Sequence, residues 1–195
     1  MCRATRSQIG ITLCALLALL PQAASAAGLN YNFFEVSYIE TELDGTSGRI
    51  NGDGLALAAS IVVDPTLAFV IEHENVDFDL DINATNLYLG FDFHKPNSST
   101  GDVYFGFGLL EVDLSGPGIA SEHDTGKALS LGLRSMGSDT TEIYLEFTRN
   151  DVGNRTDKGY SFGAVLFSNQ RIQYKIVYRD SDFDTSTQLG IRSTF

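Results

Sequence analysis

The sequence predicts an all-β protein, a closed antiparallel up-and-down transmembrane β-barrel of about ten strands, with eight as the alternative count. Three observations support this fold class. Apolar residues recur at every second position, turn-forming residues interrupt these runs at short intervals, and large and small residues occupy opposite phases of the alternation. Period-two alternation is typical of strands, and regularly spaced turn signals join strands into hairpins. No convincing 3.6-residue period is present in the mature chain.

Ten strand-like runs can be placed between turn signals such as Asp44-Gly45 and Asp64-Pro65. An even strand count is expected for a bacterial single-chain barrel. The count could be eight if the first strand merges with a neighbour or if one run is a loop. The runs cover approximately residues 31–43, 52–63, 66–82, 84–95, 102–114, 125–136, 141–151, 158–169, 170–180 and 185–195.

The two faces of the predicted strands indicate a membrane rather than an aqueous surrounding. One phase carries large apolar residues such as Leu89, Phe91 and Phe93, and the other carries glycine, alanine and serine with isolated charges. A soluble barrel would expose the second face, where glycine and alanine weaken strands. A narrow membrane barrel instead turns large residues to lipid and small residues to its lumen. Spanning strands must also close, because hydrocarbon tolerates no free edge.

The first 26 residues are predicted to be a cleaved secretory signal peptide, which leaves residues 27–195 as the barrel domain. Their apolar run is too short for a spanning helix. Both cysteines fall in this segment, so no disulfide or cysteine metal site is expected in the mature chain. The segment has a positive start, an apolar run and a small-residue cleavage motif: Arg3 and Arg6, Ile9–Leu20, and Ala24–Ala26.

The C-terminal stretch L-G-I-R-S-T-F places Leu189 and Ile191 on one face and ends in Phe195. It resembles the terminal signature of Gram-negative outer-membrane barrels, and the resemblance implies that barrel-assembly machinery reads Phe195. The whole mature chain resembles small outer-membrane barrels of the OmpA-transmembrane, OmpW and opacity-protein type. Its opening N-Y-N-F-F-E-V-S-Y, residues 30–38, followed by Asp44-Gly45, is similar to the diffusible-signal-factor-regulated outer-membrane barrel family. Membership implies residence in the outer membrane and supplies no shared active site.

Charged residues among the small residues are expected to form an ion-pair network that closes the lumen. Buried charges must pair, since removal of one partner typically costs ~3–5 kcal/mol. The alternative is that these charges line a narrow selective pore. The predicted set is Glu72, Asp92, Arg134, Glu142, Glu146, Arg171, Lys175 and Arg192.

Within residues 66–83 the apolar positions change from odd to even numbers, and three other strands change phase at the same predicted end. A spanning strand needs only ~9–11 residues in hydrocarbon. We therefore predict that the strands continue outside the bilayer with an acidic outer wall and an apolar inside, although a β-bulge would also flip the phase. The inside is either a packed cap or a small pocket. Its predicted residues are Ile39, Leu43, Val76, Phe78, Leu80, Leu110, Val112 and Phe183.

The net charge of −12 argues against nucleic acid as a partner. The aspartates Asp77, Asp79 and Asp81 are interpreted as a solvated rim, because they lack the spacing of an EF-hand. Binding of Ca²⁺ is the alternative. Glu122-His123-Asp124 offers acid/base side chains, but adjacent strand residues point apart. No catalytic residue, metal site or cofactor is predicted.

Three functions are compatible with these patterns. The leading hypothesis is a non-enzymatic outer-membrane barrel with a structural or surface-interaction role, in contact with lipid, lipopolysaccharide and barrel-assembly machinery. The second is a narrow channel or transporter for small hydrophobic molecules. The third is a soluble periplasmic lipid-binding barrel. The sequence gives no indication of oligomeric state.

Overall fold

The computed structural model describes residues 29–45, 48–96, 100–117, 119–167 and 171–195. The predicted signal peptide lies outside these residues. No helix in the described ranges is long and apolar enough to cross a membrane. The ten strands of the described chain are β1 (Phe33–Gly45), β2 (Gly48–Asp64), β3 (Leu67–Phe78), β4 (Ile82–Pro96), β5 (Gly101–Gly116), β6 (Ile119–Ser138), β7 (Thr141–Val152), β8 (Arg155–Phe167), β9 (Ile172–Ser181) and β10 (Asp184–Thr194).

Every strand pairs with its sequence neighbour in antiparallel fashion, and β1 also pairs with β10 to close the barrel. Glu35 illustrates the closure, since it lies opposite Ala58 of β2 on one side and Arg192 of β10 on the other. Closure gives every strand two neighbours, so none of the ten leaves an unpaired edge. The predicted fold class is confirmed, and the count is ten rather than eight.

The observed strands depart from the predicted runs mainly at their ends. β6 spans 20 residues and begins at Ile119, well before the predicted start at 125. β3 ends at Phe78, and the predicted run to residue 82 is wrong because Asp79–Asp81 form a 3-10 turn. Leu80 and Asp81 adopt positive φ values of 71° and 58° there. The polar Glu122-His123-Asp124 stretch extends β6 because β5 supplies its ladder partners.

The β2–β3 and β6–β7 turns lie at one end of the barrel, together with residues 29–32 and Phe195. We call this end proximal. The opposite end, which carries the β3–β4 and β7–β8 turns, is called distal. This assignment follows from the alternating direction of the strands.

An apolar belt surrounds the outside of the barrel, and the large apolar face predicted from the sequence supplies it. Its aliphatic and aromatic side chains are exposed rather than packed in a core. Tyr38, Tyr160 and Tyr178 lie at its distal margin, as in the aromatic girdles of membrane barrels. The exposed members of the belt include Val36, Leu55, Leu57, Leu89, Phe91, Phe93, Phe105, Phe107, Leu109, Leu129, Leu131, Leu133, Ile143, Phe147, Phe162, Leu166, Ile172, Tyr174, Ile176, Leu189 and Ile191.

Several glycines on the inner face make room for tyrosine rings that lie across the neighbouring strand. A Cβ placed on Gly132 would collide with the Tyr104 ring, and one placed on Gly163 would collide with the ring of Tyr144. Small residues in these strands therefore allow large aromatic side chains to lie flat inside a narrow barrel. The ring covers a strand position that has no side chain of its own.

Candidate functional site: the barrel lumen and its distal rim

The chain segment before β1 folds across the proximal mouth of the barrel. Leu29 is fully buried and packs with Tyr31 and Ala68, while Val62 and Met136 cover the same cluster. The segment is also fixed by hydrogen bonds, because Asn32 Oδ1 accepts the backbone N–H of Val62 at 2.8 Å. The described N-terminal residues thus act as an apolar plug at this end.

Polar groups surround the ring of Tyr31 on the lumen side of the plug. The ring stacks on His94 with 3.9 Å between centroids, and the Arg134 guanidinium lies 4.3 Å from its centre. The Tyr31 hydroxyl donates to Asp102 at 3.2 Å. Arg134 is held in turn by Glu142, which accepts from Nε at 2.7 Å and from Nη2 at 2.9 Å. Paired charge and aromatic contacts together make this layer continuous from β4 to β7.

Glu35 is the centre of a second charged layer. Its side chain is 3 % exposed and accepts from Lys175 at 2.5 Å and from Arg192 at 2.9 Å. Lys175 lies on β9 and Arg192 on β10, so the three residues join strands from both sides of the β1–β10 closure. The carboxylate also accepts the hydroxyl of Ser37 at 3.2 Å. This arrangement ties the first strand to the last two.

A third layer crosses the lumen nearer the distal end. Arg179 of β9 donates to Glu74 of β3 at 2.9 Å. Four steps around the closed strand order separate β3 from β9, so the pair spans most of the lumen. Gln188 of β10 donates to the same carboxylate at 3.2 Å. The side chains form a bar across the barrel, which we call the Glu74–Arg179 bridge.

Acidic side chains without a basic partner lie between the bridge and the proximal layers. Within the described chain, Glu72, Asp92 and Glu146 take part in no ion pair. Glu72 is exposed although its position faces inward, so the lumen is open to water at this level. Glu146 accepts the hydroxyl of Tyr104 at 2.9 Å. Acidic groups therefore exceed basic groups in the lumen, in contrast to the near balance that the predicted set implied.

The structure separates the predicted apolar pocket into a packed cluster and outlying residues. Ile39, Val76 and Phe78 are buried and pack together, with Leu43 against them. Leu110 and Val112 also face inward, on β5. The structure places Leu80 in the β3–β4 turn with 73 % of its surface exposed. Phe183 lies in the β9–β10 turn, also exposed.

The change of phase in β3 occurs without a bulge. Glu72, Glu74, Val76 and Phe78 all face inward, and the pairing of β3 with β2 and β4 is continuous through these residues. The register shifts next to β3 and in β5–β6 lie near hairpin ends, at Val62/Asp64 and Leu114/Gly116. What changes along β3 is therefore the chemistry of each face rather than the direction of the side chains.

Other predicted residues lie outside the lumen network. Arg171 is exposed at the proximal end, just before β9. Phe195 is half-buried, and its backbone N–H donates to the carbonyl of Asn32 at 3.3 Å. The prediction omitted Glu35, Glu74 and Arg179, although each shares the strand parity of small lumen residues.

The distal rim holds a cluster that the sequence did not reveal. Glu111 and Asp113 of β5 lie beside His123 of β6, and one ligand-type atom from each lies within 4.8 Å of the others. Asp113 is directly opposite His123 in the ladder. The hydrogen bond that His123 donates to the Asp113 carboxylate, and the negative charge of that carboxylate, raise the pKa of His123 above its ordinary value of 6.5. A β5–β6 hairpin that turns at residues 116–119 places Asp113 opposite His123, so this turn is the feature of the sequence that would have located the cluster.

Comparison with known proteins gives matches only among solved structures. No family model matches the chain, and no curated protein matches it. The N-terminal β-barrel domain of Pseudomonas aeruginosa OprF is 8 % identical, with a TM-score of 0.49 over 86 % of this chain and 100 % of that one. Neisserial surface protein A is 11 % identical, with a TM-score of 0.47 over 84 % of this chain and 96 % of that one.

A KdgM porin in complex with disordered oligogalacturonate is 10 % identical, with a TM-score of 0.45 over 83 % of this chain and 99 % of that one. These similarities concern the fold alone. Closure of ten antiparallel strands, an exposed apolar belt and a charged lumen are features of the present chain itself. The described chain therefore has the architecture of a closed, ten-stranded antiparallel β-barrel with an apolar exterior.

Proposed function

We propose that the protein is a non-enzymatic integral outer-membrane barrel, closed to ion flow at rest, whose distal rim is its interaction surface. The observation that carries the proposal is an exposed apolar belt around a charged interior. A barrel stable in water would need the reverse distribution. The same observation disfavours a soluble lipid carrier, because its lumen would have to be apolar.

The proximal end is assigned to the periplasm and the distal end to the outside. The connections are short at both ends of the barrel, so the assignment rests on strands that continue beyond the apolar belt at the distal end, because bacterial outer-membrane barrels carry their longer excursions on the extracellular side. The distal rim carries acidic outward residues, among them Glu40, Glu42 and Asp53. In this orientation they face lipopolysaccharide, whose phosphates would be bridged to them by divalent cations. Barrel-assembly machinery is the partner expected during insertion.

Two closures support a resting state without conduction. The plug of residues 29–32 covers the proximal mouth, and the Glu74–Arg179 bridge crosses the lumen above it. The packing of Ile39, Val76 and Phe78 gives little support to transport of hydrophobic molecules, because these buried side chains fill the space that such a molecule would need.

Fractionation and electrophysiology test the two parts of the proposal separately. The protein is expected in the outer-membrane fraction, soluble only in detergent, and with heat-modifiable migration on gels. Recovery in the soluble periplasmic fraction would refute the membrane assignment. Purified protein in planar bilayers is expected to give no steady single-channel current. A stable current from the wild-type chain would refute the closed state while leaving the membrane assignment intact.

A gated cation pathway is a second candidate, favoured by the unpaired acids Glu72, Asp92 and Glu146. An opened lumen lined by these carboxylates would attract cations and repel anions. The double variant Tyr31→Ala and Arg179→Gln removes a central side chain from each closure. Under a salt gradient it is expected to show a cation-selective reversal potential. An anion-selective potential, or no current from correctly folded protein, contradicts this candidate.

A further inference from the structure

The three side chains Glu111, Asp113 and His123 project from the outer wall of the β5–β6 hairpin. Asp113 and His123 are ladder partners, and Glu111 is two residues from Asp113, so all three share the outward face. Their side chains are between 44 % and 57 % exposed. Two carboxylate oxygens and one imidazole nitrogen therefore converge on a point that solvent can reach.

We propose that Glu111, Asp113 and His123 bind a zinc-type transition-metal ion on the outer wall of the barrel. Zinc accepts imidazole nitrogen and carboxylate oxygen at ~2.0–2.2 Å, so tetrahedral ligand atoms lie ~3.4 Å apart. In the structure His123 Nδ1 lies 2.7 Å from an Asp113 oxygen and 3.8 Å from a Glu111 oxygen. The first separation is about 0.7 Å below and the second about 0.4 Å above the required value, so side-chain rotations that move these atoms by less than about 1 Å suffice.

The composition of the ligand set selects the class of metal. Calcium and magnesium prefer oxygen ligands, whereas imidazole suits zinc and its first-row neighbours. Three protein ligands also leave a fourth tetrahedral position open. The strands fix the spacing of all three residues, which lowers the entropy lost when the metal binds compared with ligands on a loop.

The height of the cluster on the barrel suggests what the open position faces. Leu109 is the last belt residue of β5 and is 65 % exposed, and Glu111 is the next outward residue. Leu87 lies opposite Glu111 on β4, while Lys127 lies opposite Leu109 on β6. The cluster therefore begins where the apolar belt ends. In a membrane this is the level of the lipid head groups, so the open position faces phosphate oxygens or water.

Proton competition is part of the binding equilibrium. A metal-bound imidazole must be neutral at the ligating nitrogen. Asp113 and Glu111 share the outward face of His123, and together with the charge of Asp124 they raise its pKa, Asp113 mainly through the hydrogen bond that its carboxylate accepts. Zinc affinity is therefore expected to fall as the pH drops below the pKa of His123.

Zinc titration of the folded full-length protein in dodecyl maltoside tests the proposal. Isothermal titration calorimetry is expected to show one saturable zinc site, weakened at least ~10-fold by His123→Gln or Asp113→Asn. His73→Gln is the matched control, because His73 is an outward histidine on β3 outside the cluster, and it should bind zinc like the wild type. Co²⁺ in place of zinc should give the visible absorption of a tetrahedral nitrogen–oxygen site.

Heat-modifiable migration confirms that each variant is folded, so loss of binding cannot be assigned to misfolding. Three results would overturn the proposal: no saturable zinc binding by the wild type, equal binding by His123→Gln, or calcium binding at this cluster as tight as zinc. In the first two cases the cluster is only a hydrogen-bonded surface pair with a neighbouring carboxylate, and in the third it is an oxygen-ligand cation site rather than a zinc site.

Discussion

Replacing Glu35 by glutamine removes one charge from the layer that joins β1 to β9 and β10. The glutamine keeps the size of the side chain, but it leaves Lys175 and Arg192 without the carboxylate that they share. Lys175 and Arg192 are mostly buried, with side-chain exposures of 14 % and 7 %. The cations cannot regain their lost attraction from bulk water without displacing the strands around them.

The size of the effect follows from the number and burial of the contacts. Two unit charges ~4 Å apart interact by ~4 kcal/mol at an effective dielectric constant of ~20. Desolvation offsets much of this attraction when the pair forms, but that cost remains when only one partner is removed. Breaking a buried ion pair therefore typically destabilises by ~3–5 kcal/mol. We expect Glu35→Gln to lower the free energy of unfolding by an amount in this range.

Glu42→Gln is the matched control, because it makes the same chemical change on the same strand. Glu42 pairs with Arg49 at 2.8 Å, but their side chains are 44 % and 70 % exposed. Exposed pairs contribute ~0–1 kcal/mol. The chain contains no tryptophan, so urea unfolding in lipid vesicles should be followed by far-UV circular dichroism and by heat-modifiable gel migration. Equal stabilities of the two variants would refute the assignment of Glu35 as a buried hub.

Three further predictions address the lumen, the plug and the rim. Gly132→Ala forces the Tyr104 ring from its position, and overpacking of this kind costs ~1–3 kcal/mol in the same urea assay; a stability equal to wild type contradicts the ring placement. In an Arg179→Gln background, in which the Glu74–Arg179 bridge is lost, Tyr31→Ala opens the proximal layer and should increase ion leakage from protein-containing vesicles, whereas Tyr31→Phe in the same background should stay closed. The His123 imidazole should titrate above pH 6.5 by NMR, and Asp113→Asn should lower its pKa. Because folding raises the pKa of His123, its protonated ring stabilises the folded protein at low pH. This contribution to the free energy of unfolding is lost as the pH rises through the pKa of the folded state.

The strands were predictable because each one keeps a two-residue period, with large apolar residues on the outer face and small residues on the face of the narrow lumen. The ion pairs inside the lumen could not be predicted from the sequence in the same way. Glu35 and Arg192 are 157 positions apart, and their meeting depends on closure between β1 and β10. Glu74 and Arg179 meet across the barrel interior, so their contact depends on strand stagger as well as parity. The two-residue period of the hairpins contains no information on which strands close the barrel or on how far the strands are staggered.

At the turns, the inward or outward direction of side chains could not be predicted from the alternation of the strands, for a different reason. Leu80 was assigned to the interior by extending the alternation of β3. The positive φ values at Leu80 and Asp81 end the extended backbone there, so side chains no longer alternate between the two faces. His123 and Asp124 show the opposite error, since they were left outside the predicted strand that begins at residue 125. In β6 their backbone groups are satisfied by β5, so the strand continues despite its polar side chains.

The change of phase in β3 is best explained by the need for one apolar face at every level of the barrel. Where Phe69 and Ile71 face outward into the proposed bilayer, lipid removes the apolar surface from water, so the lumen can hold charges such as Glu72. Beyond Glu74 the outer wall carries residues such as Asp77, and lipid no longer supplies that stabilisation. The interior must then provide the hydrophobic burial itself, and Val76 and Phe78 do so with Ile39. The level at which the two faces exchange chemistry therefore marks the outer boundary of the proposed bilayer.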